Sequence, residues 1–171
     1  MVTTVVSILL QVISLFVTFV VAFTKNHRIV YLCTLTFNIS CLVLAVFQED
    51  WGTMVSYIII VYRSVCILYK DELSKRLKHT IPLSIVILHI VFGAITWTDV
   101  FSIIPIVAPI LLGLSQWYSN DLQKYRIVGV INNSLWSMHT LYHESYILLL
   151  ARIYSIIVNA VALYKNREKV A

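Results

Sequence analysis

Two apolar segments near the carboxyl end of the chain carry polar side chains at helical spacing. In segment 146–164, Arg152, Ser155 and Asn159 fall at i, i+3 and i+7, so they share one face of a helix. Segment 126–143 has four such residues at i, i+4, i+7 and i+11, namely Asn132, Trp136, His139 and His143. An indole offers a stacking face, and an amide offers both a donor and an acceptor. The two stripes therefore predict a cavity for a neutral or weakly anionic polar ligand.

Two arginines lie inside apolar segments, where each needs a compensating environment. An ionised side chain at the centre of a bilayer costs roughly 2.5–3.5 kcal/mol. Arg63 lies seven residues before Lys70, so it either snorkels toward the membrane surface or lines a cavity. Arg152 lies eight residues after Glu144. It either contacts Glu144 or neighbouring carbonyls, or it lines a water-filled cavity.

Small polar residues recur at the same spacing in the first two apolar segments. These residues are Ser7, Gln11, Ser14 and Thr18 in the first segment and Thr34, Asn38 and Cys41 in the second. Such side chains commonly join transmembrane helices through hydrogen bonds worth about 1 kcal/mol or less each. For the first segment we expect this structural role.

The sequence offers little that suits catalysis or a cofactor. His139 and His143 are spaced i, i+4, but no HExxH motif surrounds them. Every acidic residue lies at the end of an apolar segment, so no carboxylates are placed for a protease dyad or a proton relay. We predict that the protein is not an enzyme and has no catalytic residues, metal or cofactor. His89, alone among Ile, Val and Phe, is expected to be a satisfied packing or interface histidine.

The elements that position these residues are expected to be helices in a lipid bilayer. Of the 171 residues, 60% are hydrophobic and 12% are charged, which is too little polar surface for a soluble globule. The net charge of +5 comes from short basic clusters between apolar segments, so nucleic acid is not an expected partner. Three cysteines inside apolar segments, without metal-ligand spacing, are expected to be packing residues: Cys33, Cys41 and Cys66.

The charged and turn-forming clusters divide the chain into an all-α bundle of seven transmembrane helices. The sixth is the most polar and would insert poorly without neighbours. The predicted spans lie near 2–23, 28–47, 53–69, 80–98, 100–118, 126–143 and 146–164.

The basic residues predict the orientation of these spans. Lys and Arg follow spans one, three, five and seven, whereas the connections after spans two, four and six contain acidic residues and no Lys or Arg. Positive residues near span ends resist translocation. The N-terminus is therefore predicted to lie outside and the C-terminus in the cytoplasm. The acidic residues of the outer connections are Glu49, Asp50, Asp99 and Glu144.

An internal repeat relates the two halves of the chain. HRIVYLCTLTFNISCLVLAVF, which starts at His27, aligns with YRIVGVINNSLWSMHTLYHES, which starts at Tyr125, and both continue into a span closed by LYK. Two three-span units in one orientation need a connecting span between them, which predicts a 3+1+3 architecture of parallel repeats around a shared cavity. The membrane domain 1–171 then comprises a first repeat at about 2–70, a linker helix at about 80–98 and a second repeat at about 100–165.

Several motifs, mostly in the second half, resemble those of a known family. They are Arg63 and Ser64 within VSYIIIVYRSVCIL, Pro105 within SIIPIVAP, Trp117, the block LWSMHTLY with Trp136 and His139, and Asn159 within SIIVNAVAL. In these the chain resembles the YgjV-type bacterial inner membrane proteins, most closely over about 97–168, fairly over 53–69 and weakly before residue 50. The 3+1+3 layout resembles the SWEET and PQ-loop group of small-molecule transporters.

The SWEET resemblance implies where a ligand would bind. In that group, an Asn in the third span of each repeat and residues of each second span line the substrate site. The repeat alignment places Ser64 and Asn159 at the first of these positions, and Ser64 departs from the expected Asn, which argues against a sugar. The candidate ligand-binding residues are Trp136, His139, Asn159, Arg152, Asn38, Ser64 and Arg63.

Two functional hypotheses follow. The first is a small-molecule facilitator or permease with a central site between the repeats, in which Pro105 and Pro109 break the hydrogen-bond ladder of span five and form a hinge. The second is a non-transporting partner subunit, receptor or scaffold, in which the polar stripes join helices. The expected partners are the bilayer and, under the first hypothesis, a small polar metabolite. The sequence leaves the oligomeric state open.

Overall fold

The computed structural model describes residues 2–47, 49, 51–119, 121–142 and 146–167. Within these ranges the chain forms seven α-helices and two short 3₁₀ helices, at Lys70–Glu72 and Val100–Ile103. The predicted all-α fold class is therefore confirmed, and each predicted span corresponds to one helix. The helices are α1 (Val2–Phe23), α2 (His27–Phe47), α3 (Trp51–Leu68), α4 (Lys75–Ile95), α5 (Ile104–Tyr118), α6 (Leu122–Tyr142) and α7 (Tyr146–Arg167).

Polar residues beside the apolar runs set where two helical segments begin. α4 starts five residues before the predicted span because Ser74 caps it, its Oγ accepting from the Leu77 amide at 3.4 Å. The 3₁₀ helix before α5 begins after Asp99, whose carboxylate accepts from the amides of Phe101 at 2.7 Å and Ser102 at 3.2 Å. Capping therefore extends α4 beyond the apolar residues that identified it, and it fixes the start of the segment before α5 at the predicted residue.

Five helical segments are long and apolar enough to cross a membrane, by length and composition. They are His27–Phe47, Trp51–Leu68, Lys75–Ile95, Val100–Tyr118 and Leu148–Lys165. The apolar part of α1 that the structure describes, Ile8–Phe23, is shorter, and α6 is not among the five. The polarity of α6 agrees with its predicted dependence on neighbouring helices. The orientation of the chain across the membrane stays a prediction.

Six of the helices form a ring. α1 packs against α2 and α7, α2 against α3, α3 against α5, α5 against α6, and α6 against α7. α4 stands outside the ring and contacts α3 and α5. Large apolar side chains face outward from the bundle, as Phe16 (68% exposed), Ile95 (71%) and Leu150 (68%) illustrate. Such a surface suits contact with lipid tails.

A serine of α3 bonds the proline-containing helix α5. Pro109 lacks an N–H, which leaves the carbonyl of Pro105 without its ladder bond. Ser56 Oγ donates to that carbonyl at 3.0 Å and so replaces the missing donor. Pro105 itself lies in the first turn of α5, directly after the 3₁₀ helix Val100–Ile103, whereas Pro109 lies inside the helix. A hinge at these two prolines stays a prediction.

Candidate functional site

A central cavity lies inside the six-helix ring. The space between its lining atoms measures about 650 Å³, and part of that space is continuous with the exterior. Every ring helix contributes lining residues, and α4 contributes none. The polar lining residues of the cavity are Thr18, Thr34, Asn38, Tyr57, Arg63, Tyr125, Asn132, Asn133, Arg152, Ser155 and Asn159.

Arg152 lines this cavity and is only 4% exposed. One guanidinium nitrogen donates to Asn133 Oδ1 at 3.2 Å, and another donates to the Tyr57 hydroxyl. Its guanidinium carbon lies 5.1 Å from the ring centroid of Phe37 and 5.3 Å from that of Trp136. Ring faces attract a cation. Of the two interpretations offered for Arg152, lining a cavity fits, and the alternative partner Glu144 lies outside the described residues.

Arg63 also lines the cavity and is 1% exposed. Its Nη1 donates to the carbonyl of Pro109 at 2.7 Å. Gly113 leaves the space that the side chain occupies, since a Cβ there would fall 2.7 Å from Arg63 Cδ. Within the described part of the chain, Arg63 Nε has no hydrogen-bond partner. The side chain therefore points inward rather than snorkelling to the membrane surface.

Aromatic rings form one wall of the cavity. Trp136 stacks on Tyr57, with ring centroids 5.6 Å apart and planes at 21°. His139 meets the edge of Trp136 at 5.5 Å and 74°. His139 is buried but is not a lining residue. Of these two sequence candidates, Trp136 lines the cavity, whereas His139 packs against Trp136 and does not line it.

The candidate amides differ in how they are held. Asn38 Nδ2 donates across to α3, to Ser64 Oγ at 3.0 Å. Asn159 Nδ2 instead donates within α7, to the carbonyl of Ser155 at 2.8 Å. Both amides line the cavity, whereas Ser64 is buried behind Asn38. Asn132 also lines the cavity, and its Oδ1 has no partner among the described residues.

Two residues of the polar stripe of α1 bond their own helix instead of a neighbouring one. Ser14 Oγ and Thr18 Oγ1 donate to carbonyls of α1, at Leu10 and Ser14, both at 2.8 Å. Within the described part of the chain these two residues therefore do not form the expected interhelical hydrogen bonds, and Thr18 lines the cavity. The side chain of Ser7 lies outside the described part of the structure.

His89 is buried in the interface of α4 with α3 and α5, as its apolar surroundings predict. Its Nδ1 lies 2.9 Å from the carbonyl of Ile85. Its Nε2 has no partner in the described part of the chain, so the residue is packed but half satisfied. The described residues contain no group of three His, Cys, Asp or Glu that could hold a metal. His143, the second of the spaced histidines, lies outside them, and the absence of a metal stays a prediction.

The sequence reasoning missed three aromatic residues of the site: Phe37, Tyr57 and Tyr125. Tyr125 precedes the predicted sixth span, yet its hydroxyl bonds Thr34 Oγ1 at 3.1 Å inside the ring. Tyr57 could have been found from the repeat. The alignment that pairs Ser64 with Asn159 also pairs Tyr57 with Arg152, seven residues earlier in each helix.

Comparisons with known proteins identify the family of the chain. Searches of curated proteins and of solved structures find no match. A family model matches residues 5–169, which includes the first fifty residues, where the sequence resemblance is weakest. That model describes the bacterial inner membrane protein family Imp-YgjV, so the chain belongs to this family and is a multi-pass protein of the bacterial inner membrane.

Proposed function

We propose that the protein is a small-molecule facilitator or permease whose substrate site is the central cavity between two three-helix repeats. The observation that carries this proposal is that charged, amide and aromatic side chains from four helices, α2, α3, α6 and α7, face one internal space that α1 and α5 complete. A bundle in which polar residues merely join helices needs no such space, because close packing gives its hydrogen bonds their geometry.

Matching contacts at two helix ends support the proposed repeat. Lys70 Nζ, after α3, lies 5.9 Å from the ring centroid of Trp117 near the end of α5. Lys165 Nζ, near the end of α7, lies 5.6 Å from the ring centroid of Phe23 at the end of α1. These lysines close the two LYK triplets of the repeat. A two-fold rotation that exchanges α1 with α5, α2 with α6 and α3 with α7 would interchange the contacts and leave the helix order of the ring unchanged.

Further contacts tie helices together at the end of the bundle that we place in the cytoplasm. Lys70 Nζ donates to the carbonyl of Trp117, and Trp117 Nε1 donates to the carbonyl of Lys78 at 3.0 Å. Arg126 donates to the carbonyl of Thr24 at 3.2 Å. In the proposed mechanism these contacts close the cytoplasmic end. Solute release requires them to open while the predicted outer end closes, as in alternating access.

The second candidate function is a non-transporting membrane partner, receptor or scaffold. It is favoured by the interhelical bonds that lining residues make, such as Asn38 to Ser64 and Asn133 Nδ2 to Ser155 Oγ at 3.0 Å. Under this alternative the cavity would be a by-product of packing bulky aromatic residues, and no solute would use it.

Solute entry into reconstituted vesicles tests the proposal. Purified protein is placed in lipid vesicles, and re-swelling after an osmotic shock is followed by light scattering for a panel of small neutral and anionic solutes. We expect at least one solute to enter faster than it enters protein-free vesicles, with a rate that saturates with its concentration. If every solute enters both kinds of vesicle at the same rate, the non-transporting alternative is favoured instead.

A further inference from the structure

The charged residues among the described lining residues of the cavity are both positive. Two guanidinium groups, of Arg63 and Arg152, line it, and its described lining residues include no carboxylate. The acidic residues that the structure describes lie at helix ends or in connections: Glu49, Asp71, Glu72, Asp99 and Asp121. Charges removed from water are normally paired with opposite charges. The described residues therefore give the cavity an excess of positive charge.

The hydrogen-bond partners of the two arginines do not neutralise this charge. Arg152 is held by a hydroxyl, an amide and two ring faces. Arg63 donates to one carbonyl, and its Nε has no partner in the described part of the chain. All of these partners are neutral. A buried donor without an acceptor indicates a missing partner, since nearly all buried polar groups in proteins are satisfied.

We infer that the central cavity selects small organic anions, with the acidic group of the ligand held at Arg63. The inference rests on the proposed function, because it names the class of solute that the same cavity would admit. A guanidinium matches a carboxylate or a phosphate in geometry as well as charge. Arg152, which already donates to Asn133 and Tyr57, adds its positive charge to the site.

The remaining walls explain why the anion is organic. Val17, Ile60, Leu112 and Trp136 give the cavity extended apolar surfaces. An inorganic anion needs donors on all sides, whereas the carbon skeleton of an organic anion can rest against these walls. The unpartnered Oδ1 of Asn132 adds one acceptor for a hydroxyl or amide of the ligand.

Matched pairs of solutes test the inference. The thermal stability of the purified protein in an uncharged detergent is measured with a carboxylate and its primary amide: acetate and acetamide, lactate and lactamide, benzoate and benzamide. Sodium chloride keeps the ionic strength equal throughout. We expect at least one carboxylate to raise the melting temperature saturably, while its amide has no effect at the same concentration.

Two variants locate the effect at Arg63. Arg63→Gln should weaken the apparent affinity for that carboxylate about 10- to 100-fold, the range for a lost hydrogen bond to a charged group. Arg28→Gln is the matched control, because Arg28 is exposed at the start of α2 and should leave the affinity unchanged. Equal weakening by both variants would overturn the assignment to Arg63. If Arg63→Gln does not fold, the paired solutes on the unaltered protein decide the inference.

The outcomes separate this inference from the proposed function. An amide that stabilises as strongly as its carboxylate would overturn the anion preference and leave the central cavity as a solute site. If no carboxylate stabilises the protein and no solute of the vesicle panel enters faster than through lipid alone, both the anion preference and the proposed function are wrong. If a neutral solute enters through the protein and no carboxylate binds, the proposed function stands and the anion preference is wrong.

Discussion

At the scale of single residues, the structure explains how two arginines can lie among apolar helices with only neutral partners among the described residues. A neutral hydrogen-bond acceptor and an aromatic ring face stabilise the positive charge of Arg152. Arg63 occupies a space that stays open because Gly113 has no side chain. The sequence predicted that these arginines are functional or structural candidates. It could not predict Phe37 as a partner of Arg152, because an aromatic residue in an apolar span is equally at home facing lipid or core. Tyr57, the other aromatic partner of Arg152, could be found only from the repeat alignment.

Gly113→Ala tests whether the position of Arg63 depends on this notch. The added methyl would fall 2.7 Å from Cδ and 3.0 Å from Nη1 of Arg63, so the side chain must shift away from the carbonyl of Pro109. We expect a loss of stability of about 1–3 kcal/mol. Gly129→Ala is the control, because a Cβ there meets nothing within 4 Å and should gain helix propensity. Equal melting temperatures of the two variants would contradict this account of Arg63.

The two candidate amides, Asn38 and Asn159, give a second prediction at this scale. Asn38→Leu removes a hydrogen bond between α2 and α3, so we expect the stability to fall by about 1 kcal/mol. Asn159→Leu removes a bond within α7 to a carbonyl that the helix already satisfies, and its effect on stability should be smaller. Thermal unfolding in detergent compares them, and a larger loss for Asn159→Leu would show that it joins helices.

At the scale of helices, the spans could be predicted because apolar runs and charged clusters alternate so regularly. Helix ends were less predictable, as α4 shows, because the cap at Ser74 lies in a polar stretch that hydropathy excludes. The bonding partners of the polar stripes were the hardest feature to predict from the sequence. Ser14 and Thr18 bond their own backbone, a choice that spacing cannot reveal, since a hydroxyl can reach either the preceding turn or a neighbouring helix.

The two prolines of α5 give a prediction about motion. Pro109→Ala restores the backbone donor to the carbonyl of Pro105, where it competes with Ser56. We expect a higher melting temperature, because an interior proline costs a helix about 3 kcal/mol, and slower solute entry if Pro109 acts as a hinge. Pro105→Ala, in the first turn, should change neither property much. Unchanged solute entry in Pro109→Ala would remove the hinge from the mechanism.

At the scale of the whole molecule, the proposed function requires a bundle that crosses the membrane with the cavity between its two halves. The family match and the apolar helices establish the membrane location. The predicted orientation comes from the basic residues alone, and the ring shows that some of these, such as Arg126, are also used to join helix ends. No local pattern could have predicted the order of helices in the ring, because tertiary packing decides it.

Thiol labelling tests the orientation. In a variant lacking Cys33, Cys41 and Cys66, a cysteine replacing the exposed Thr98 should react with a membrane-impermeant reagent added from outside. A cysteine replacing the exposed Arg76 should react only after the membrane is opened. The reverse pattern would place the N-terminus in the cytoplasm.

The central claim is that solutes use the cavity inside the ring, and one pair of variants of α6 tests it most directly. Asn132 lines the cavity and its Oδ1 has no partner in the described part of the chain, whereas Ser134 is exposed on the outside of the same helix. The measurement is the rate of saturable solute entry into vesicles containing Asn132→Leu or Ser134→Leu, with the melting temperature of each variant recorded alongside. The account predicts at least a several-fold slower entry for Asn132→Leu without a lower melting temperature, and an unaltered rate for Ser134→Leu. Equal entry rates in the two variants would contradict a route through the cavity.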